Sequence, residues 1–276
     1  MTAIIPFTSR SRAERGSPVR QAVEPGEVCL LGAGPGDPEL MTLKGLRALE
    51  AADVVVYDRL ANPLFLDYCP EGCERIYVGK RKDRHSLPQD QIGELLVALA
   101  RCGKRVVRLK GGDPFIFGRG GEEIDALEAQ GVPWRVIPGI TAATGCAAST
   151  GIPLTHRDCA HALTFITAHR SDGELRFNWD LALQKEQTVV FYMGLSVVAD
   201  IAAGLMARGK PSSTPIAVIA NGTCQEQRVV AATLADIGEV LAGSDLPSPA
   251  LIVMGEVVAR RRELGQLATR VAGVAV

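Results

Sequence analysis

The chain has 276 residues, of which 47% are hydrophobic, and this is enough to bury the cores of one or two compact domains. Lys and Arg number 30 against 31 Asp and Glu, so the formal net charge of −1 gives no overall field to attract nucleic acid or a membrane surface. The 7 cysteines form no C-x-x-C pair and the 4 histidines form no H-E-x-x-H pattern. These patterns argue against a disulfide framework, predict no metal site, and favour a cytoplasmic location.

Both ends of the chain are predicted to lie outside the folded domains. Residues 1–25 carry arginines among Ser, Pro and Gly without apolar periodicity, so we predict a disordered tail, although a transit peptide has a similar composition. Residues 263–276 are predicted to form a second tail. The longest uncharged run, 136–155, contains prolines and glycines that are unsuited to a transmembrane helix, so we predict no membrane association.

From residue 27 onward, apolar β-branched runs alternate with helical patterns. Strands are predicted over 27–34, 53–58, 75–79, 105–113 and 133–139. Helices are predicted over 43–52, 63–69, 89–103 and 120–131. Because strands joined through helices pair in parallel, residues 26–139 are predicted to form an α/β domain with a mostly parallel sheet.

The second half of the chain also contains both predicted strands and predicted helices. The segment 140–151 is rich in small residues and is predicted to be a closely packed helix. Further strands are predicted over 162–169, 187–194, 214–223, 227–233 and 248–258, with helices near 196–208 and 233–242. Residues 140–262 are therefore predicted to be a second α/β domain. A ligand is expected in the cleft between the two domains, at the carboxyl ends of strands.

The loop "LLGAGPGDPELMTLKG", residues 30–45, resembles a damaged dinucleotide-binding fingerprint. Gly32 and Gly34 fit G-x-G-x-x-G, but Asp37 stands where the third glycine belongs. Its carboxylate would repel a pyrophosphate, and the following helix is not predicted to begin until after Thr42, a suitable N-cap.

One residue nevertheless favours the dinucleotide interpretation. Asp58 ends the second predicted strand, roughly 20 residues beyond the glycines, where such folds place a ribose-binding acid. Taken alone, the loop is compatible with dinucleotide binding, with a purely structural turn, or with a glycine-lined pocket for another ligand.

Two basic segments, 77–86 and 104–113, follow or include predicted strands. A solvated charged face is the ordinary interpretation of such runs. However, Arg108 and Lys110 alternate along an otherwise apolar strand, which predicts that they face a cleft. Arginine binds carboxylates well, so these segments suggest a substrate with several carboxylates, and the lack of an aromatic stacking platform argues against nucleic acid.

Several long motifs occur in order and at consistent spacing. They are the loop 31–45, "VVVYDRL" (54–60), "YVGKR" (77–81), "HSLPQDQI" (85–92), "RLKGGDPFIFGRGGEE" (108–123), "PGITAA" (138–143), "GIPLTHR" (151–157) and "FYMG" (191–194). This set, which spans about residues 26–260, resembles the uroporphyrinogen-III C-methyltransferases of the tetrapyrrole methylase family.

The resemblance implies two α/β domains with S-adenosylmethionine in the cleft between them, S-adenosylhomocysteine as a product, and a homodimer. It also implies a set of cofactor contacts, several of them through the backbone. By position in the motifs these are Pro35, Gly111, Gly112, Asp113, Ile116, Thr141, Ala142, Met193 and Gly222.

The implied reaction is methylation of uroporphyrinogen III, a substrate with many carboxylates, at C2 and C7 to give precorrin-2 for corrinoid, sirohaem or haem d1 synthesis. By the same resemblance, Asp58 and Lys80 align with residues given acid and base roles. Arg108 is the third candidate catalytic residue, which could hold a propionate or assist proton loss, and of these two roles we expect it to anchor a propionate. With only a short tail ahead of the methylase part, the chain is expected to stop at precorrin-2.

Alternatives to this function remain open at the level of sequence. Within the same fold they are other precorrin methylases and an RNA ribose methylase. The interpretation as an NAD-dependent oxidoreductase is supported by Gly32, Gly34 and Asp58, and Asp37 argues against it. A tetrapyrrole carrier would bind the substrate without needing S-adenosylmethionine.

Overall fold

The computed structural model describes residues 23–79, 88–168, 170–171 and 174–261, and both predicted tails lie largely outside these ranges. The fold is mixed α/β with two five-stranded sheets, as predicted. Within the described ranges, no helix is both long enough and apolar enough to cross a lipid bilayer.

The first sheet is entirely parallel. Its strands are β1 (Val28–Gly32), β2 (Val54–Tyr57), β3 (Glu74–Tyr77), β4 (Val106–Lys110) and β5 (Trp134–Ile137), in the order β3-β2-β4-β1-β5. Its helices are α1 (Leu43–Glu50), α2 (Gln89–Arg101) and α3 (Gly120–Glu128). Helices join β1 to β2, β3 to β4 and β4 to β5, so the carboxyl ends of all five strands lie at one edge.

Apolar layers cover both faces of this sheet. One layer packs around Leu49 and Phe65, and the other around Leu96 and Leu127. Fully burying one such side chain contributes about 1.5–3 kcal/mol. β1 is buried along its whole length because it lies between two neighbouring strands and two layers, which explains its unbroken apolar sequence.

The helix predicted over 63–69 is a 3-10 helix, Pro63–Tyr68. The side chain of Asn62 accepts a hydrogen bond from Leu64 N at 3.0 Å, and Pro63 occupies the first helical position, so the start is well capped. It packs against α1.

The second half begins with α4 (Ala142–Thr150), which ends at Gly151 in the left-handed conformation. Its strands are β6 (Ala162–Thr167), β7 (Arg170–Ser171), β8 (Glu174–Leu175), β9 (Gln187–Tyr192), β10 (Pro215–Ala220), β11 (Arg228–Thr233) and β12 (Ala250–Met254). Its remaining helices are α5 (Trp179–Leu183), α6 (Val198–Ala207) and α7 (Ile237–Ala242).

The second sheet is mixed, in the order β11-β10-β12-β9-β6, with only the β6–β9 pair parallel. The β7–β8 hairpin and α5 were not predicted. The strand predicted over 248–258 is shorter than expected and ends at Met254, because Gly255 has a φ of +136° and turns the chain. The predicted domain boundary near Gly139 lies between β5 and α4, and the division into domains stays a prediction.

Candidate active site

Three glycines bring the ends of neighbouring strands of the first sheet into direct backbone contact. A Cβ atom on Gly32 would lie 2.7 Å from Gly112 O, and one on Gly139 would lie 2.7 Å from the carbonyl carbon of Gly32. Gly34 and Gly112 also exchange two backbone hydrogen bonds, of 3.1 and 2.7 Å. Because no side chain fits between these segments, the carboxyl edge of β1, β4 and β5 forms a floor made of backbone.

The loop after β1 contacts the second half of the chain. Asp37 N donates to Thr223 Oγ1 at 3.1 Å, and a Cβ on Gly145 would lie 2.8 Å from Pro35 Cβ. Gly222 packs equally closely against Cys146 of α4. Pro35 and Gly222, two of the predicted cofactor contacts, therefore both lie against α4.

The same loop explains why the fingerprint is damaged. The Asp37 carboxylate accepts from Glu39 N at 2.9 Å and caps a 3-10 turn over Pro38–Leu40. α1 begins only at Leu43, where Thr42 accepts from Gly45 N at 3.0 Å, so the predicted N-cap is confirmed. No helix N-terminus follows the glycines directly, so this loop lacks the amide cradle that binds a pyrophosphate.

The predicted cofactor-binding residues that follow β4 lie in a turn, and the Asp113 side chain stabilises this turn. Its carboxylate accepts from Phe115 N at 2.8 Å and from Gly139 N at 3.1 Å, which joins the ends of β4 and β5. Gly112 has a φ of +66°, and a Cβ built on it would meet nothing closer than 3.8 Å. Gly111 packs against Leu60, and Ile116 closes the turn by donating its backbone N–H to Asp113 O.

Thr141 and Ala142 lie at the N-terminus of α4, where the backbone and the Thr141 side chain contact Tyr192 of β9. The Tyr192 hydroxyl bonds Thr141 Oγ1 at 2.7 Å and accepts from Ala143 N at 3.1 Å. Burial raises the pKa of Tyr192, so the phenol stays protonated. Its ring contacts Phe117 from the β4–α3 loop. Tyr192 was missed as a site residue, although it lies inside the "FYMG" motif.

An open cavity of about 590 Å³ lies beside these loops. It is lined by Phe115, Phe117, Arg119, Gly120, Gly121, Glu122 and Met193. Of the predicted site residues, only Met193 is in this lining. Arg119 and Glu122, which were not predicted, form an ion pair of 2.5 Å and are more than half exposed.

Backbone strain is concentrated around this region. Five residues here have a positive φ, a backbone conformation that residues other than glycine adopt at an energetic cost. They are Phe117, Arg119, Met193, Asn221 and Thr223. Such strain accumulates at functional sites, where the surrounding structure holds it in place. Met193 is also 55% exposed, so it is not the core residue that its apolar side chain suggests.

The expectation that Arg108 and Lys110 face a cleft is wrong. Their exposures are 3% and 4%, and both lie on the side of β4 that α3 covers. The Arg108 guanidinium donates to Glu123 Oε1 at 3.1 Å, to Leu109 O at 2.9 Å and to Asp58 Oδ2 at 2.9 Å. The carboxylate partners of Arg108 in the structure are therefore two side chains of the chain itself, Glu123 and Asp58.

Asp58 is more accessible. Its side chain is 26% exposed, and its second oxygen, Oδ1, accepts from Leu60 N at 3.0 Å in a tight turn after β2. The carboxylate is thus held in one orientation while one side faces solvent. Lys80, predicted to act with Asp58, lies outside the described residues. Within the described ranges, no three His, Cys, Asp or Glu side chains cluster in a way that would hold a metal ion.

Comparison with known proteins identifies relatives of the chain. Residues 27–238 match the model of the tetrapyrrole (corrin/porphyrin) methylases. A siroheme synthase from Pseudomonas putida is 54% identical over 249 residues, which is 90% of this chain but 53% of that protein. The chain thus spans about half the length of the curated relatives it matches.

Solved structures give matches over nearly their full length. The native uroporphyrin III C-methyl transferase from Thermus thermophilus is 39% identical, with a TM-score of 0.72 over 84% of this chain and 93% of that one. The same enzyme complexed with S-adenyl homocysteine is 38% identical, also with a TM-score of 0.72 and the same coverage. The family match covers most of the chain, and the chain therefore belongs to the tetrapyrrole methylase family.

Proposed function

We propose that this chain catalyses the S-adenosylmethionine-dependent C-methylation of uroporphyrinogen III at C2 and C7, giving precorrin-2. The observation that carries the proposal is the 39% identity to the Thermus thermophilus uroporphyrin III C-methyl transferase along 93% of that enzyme. Similarity to the form of that enzyme complexed with S-adenyl homocysteine supports S-adenosylmethionine as the methyl donor. A siroheme synthase matches this chain over 53% of its own length, and we take from that match only support for the methylation step.

The backbone floor supports binding of such a donor. An adenosine cofactor without phosphates needs close backbone approach and shape more than it needs cations. Gly112 offers open space above its Cα, while Gly32 and Gly139 leave room for no side chain. We propose that S-adenosylmethionine binds through the predicted set, which is Pro35, Gly111, Gly112, Asp113, Ile116, Thr141, Ala142, Met193 and Gly222.

Bound S-adenosylmethionine would supply an electrophilic sulfonium methyl group, so the protein has mainly to align the two reactants. Addition of a methyl group to a ring carbon gives a cationic macrocycle, and a proton must then leave the macrocycle to restore conjugation. We assign the proton acceptor to Asp58, whose carboxylate is held by Arg108 and Leu60 and is partly open to solvent. Lys80 would act with it. Arg108 is assigned to hold Asp58, because its guanidinium is buried.

The substrate is a polycarboxylate, and the cavity next to Met193 carries an accessible guanidinium that suits it. Arg119 is 58% exposed there, and among the described residues its ion-pair partner is Glu122, three residues further along the chain. A substrate carboxylate could take the place of Glu122 on Arg119 at little cost, because an exposed ion pair contributes only about 0–1 kcal/mol. We therefore assign recognition of a propionate to Arg119 in place of Arg108.

We further propose a cytoplasmic homodimer in which residues 26–139 and 140–262 form the two domains. Leu43, at the start of α1, and Leu64, in the 3-10 helix that packs against α1, are exposed apolar side chains that support a subunit interface there. All seven cysteines are free thiols, which fits a reducing compartment.

Mass analysis tests the proposal directly. Anaerobically prepared uroporphyrinogen III is incubated with the full chain and S-adenosylmethionine, and we expect a product with two added methyl groups. An unmethylated macrocycle that stays bound to the protein would instead indicate a carrier. Stabilisation by NAD but not by S-adenosylmethionine in a thermal melt would indicate the oxidoreductase, since a ligand raises the melting temperature of the state it binds.

A further inference from the structure

Glu123 on α3 is a charged side chain that the proposed reaction does not use directly. Its side chain is completely buried, at 0% exposure. One oxygen, Oε1, accepts three hydrogen bonds, from Lys110 Nζ at 2.7 Å, Arg108 Nε at 3.1 Å and Gln89 Nε2 at 3.1 Å. A buried carboxylate persists only where such partners match its charge.

The same guanidinium connects Glu123 to Asp58. Arg108 donates from Nε to Glu123 and from Nη2 to Asp58 Oδ2, at 3.1 and 2.9 Å, so it bridges the two carboxylates. Its Nη1 donates to Leu109 O at 2.9 Å. The planar guanidinium fork is thereby fixed on three sides, and its orientation sets where the Asp58 oxygen lies.

The charges in this cluster balance only when Glu123 is included. Arg108 and Lys110 are two cations on one face of β4, two residues apart, and Asp58 and Glu123 are the two anions that contact them. Burial first, and then the Arg108 charge, lower the pKa of Lys110, whereas the Glu123 carboxylate opposes that change. Without Glu123, two buried cations would compete for Asp58.

The second oxygen of Glu123 argues that this arrangement does more than stabilise the fold. Oε2 is buried and has no hydrogen-bond partner among the residues that the structure describes. A buried acceptor without a partner costs about 1–3 kcal/mol, so apolar side chains in place of Glu123, Arg108 and Lys110 together are the better solution for stability alone.

We propose that Glu123 is a positioning residue for methyl transfer: it fixes the Arg108 guanidinium, and through it the Asp58 carboxylate, in the orientation that receives the proton. This inference rests on the proposed function and on the role of Asp58 in it. It assigns to α3 a part in catalysis without contact between Glu123 and the substrate.

The test is Glu123→Gln, which keeps the side-chain shape and removes the charge. Asp125→Asn is the matched control, because it removes one carboxylate from the exposed face of the same helix. We expect kcat for methyl transfer to fall about 10- to 100-fold, the range for a displaced catalytic group. KM and the affinity for S-adenosylmethionine should stay unchanged, since the loss concerns the transition state. The control should match the wild type.

A double variant, Lys110→Met with Glu123→Gln, separates positioning from folding. It removes one cation together with the anion, so the melting temperature should recover relative to Glu123→Gln, while kcat should stay low. It also carries the test if the single variant fails to fold. Recovery of kcat along with stability, or wild-type kcat in Glu123→Gln, would overturn the inference and leave the proposed function intact. Lack of methyl transfer by the wild type would overturn both.

Discussion

Replacing Tyr192 by phenylalanine removes one hydroxyl group from the contact between β9 and the N-terminus of α4. That hydroxyl bonds Thr141 Oγ1 at 2.7 Å and accepts from Ala143 N at 3.1 Å. The ring stays and can keep its packing against Phe117 and Phe165, so the change isolates the polar contacts.

The expected loss follows from what the hydroxyl leaves behind. The Ala143 N–H, in a fully buried residue, would lose its acceptor, and a buried unsatisfied group costs about 1–3 kcal/mol. For a chain of this size, each kcal/mol lowers the melting temperature by about 2–4 °C. Thr141 and Ala142, both proposed cofactor contacts, would also be less well held, so the affinity for S-adenosylmethionine should fall.

The assay pairs a thermal melt with calorimetric titration of S-adenosylmethionine. Tyr68→Phe is the matched control, because Tyr68 is 42% exposed and is not among the proposed cofactor or substrate contacts. Tyr192→Phe should lose both stability and affinity, whereas Tyr68→Phe should lose neither. If the two variants behave alike, the Tyr192 hydroxyl does not organise the start of α4, and this reasoning fails.

Two further changes test other parts of the structure. Gly139→Ala places a Cβ 2.7 Å from the carbonyl carbon of Gly32, so we expect a destabilisation of about 1–3 kcal/mol or more, measured by denaturant unfolding, and weaker cofactor binding, measured by titration. Gly243→Ala is the control and should be nearly neutral, because its Cβ would meet nothing closer than 3.9 Å. Equal effects of the two substitutions would refute the packing argument. Asp53→Asn removes a carboxylate whose pKa is lowered from its ordinary value of 3.8 by hydrogen bonds from Arg105. The wild type should therefore be more stable than the variant above pH 3.8, and this advantage should disappear as the pH falls through the lower pKa of the folded state. A stability difference that does not change with pH would contradict the ion pair.

Local sequence signals predicted local structure well. Thr42 was expected to cap α1 because a hydroxyl side chain precedes an amphipathic run, and it does. The parallel first sheet followed from helices alternating with strands, and the structure confirms it. The β7–β8 hairpin escaped prediction, since pairs of two-residue strands leave too short a pattern to recognise.

The prediction for Arg108 failed for a reason that is not local. Alternation along β4 correctly placed Arg108 and Lys110 on one face, but alternation does not say what covers that face. The cover includes Glu123, which comes 15 residues after Arg108 and on another element. Likewise, Arg119 joins Met193 at one cavity only because the β4–α3 loop and the end of β9 meet in space. A pattern read from one segment does not contain that information.

The backbone floor formed by Gly32, Gly112 and Gly139 also has a thermodynamic consequence. Side chains that are immobilised by a ligand lose rotamer entropy, whereas glycine has none to lose. The backbone surface that contacts a bound ligand is therefore already ordered before the ligand binds. Variation in substrate preference among relatives of this fold is accordingly expected in the loops around the floor, which present side chains such as Arg119 to the cavity.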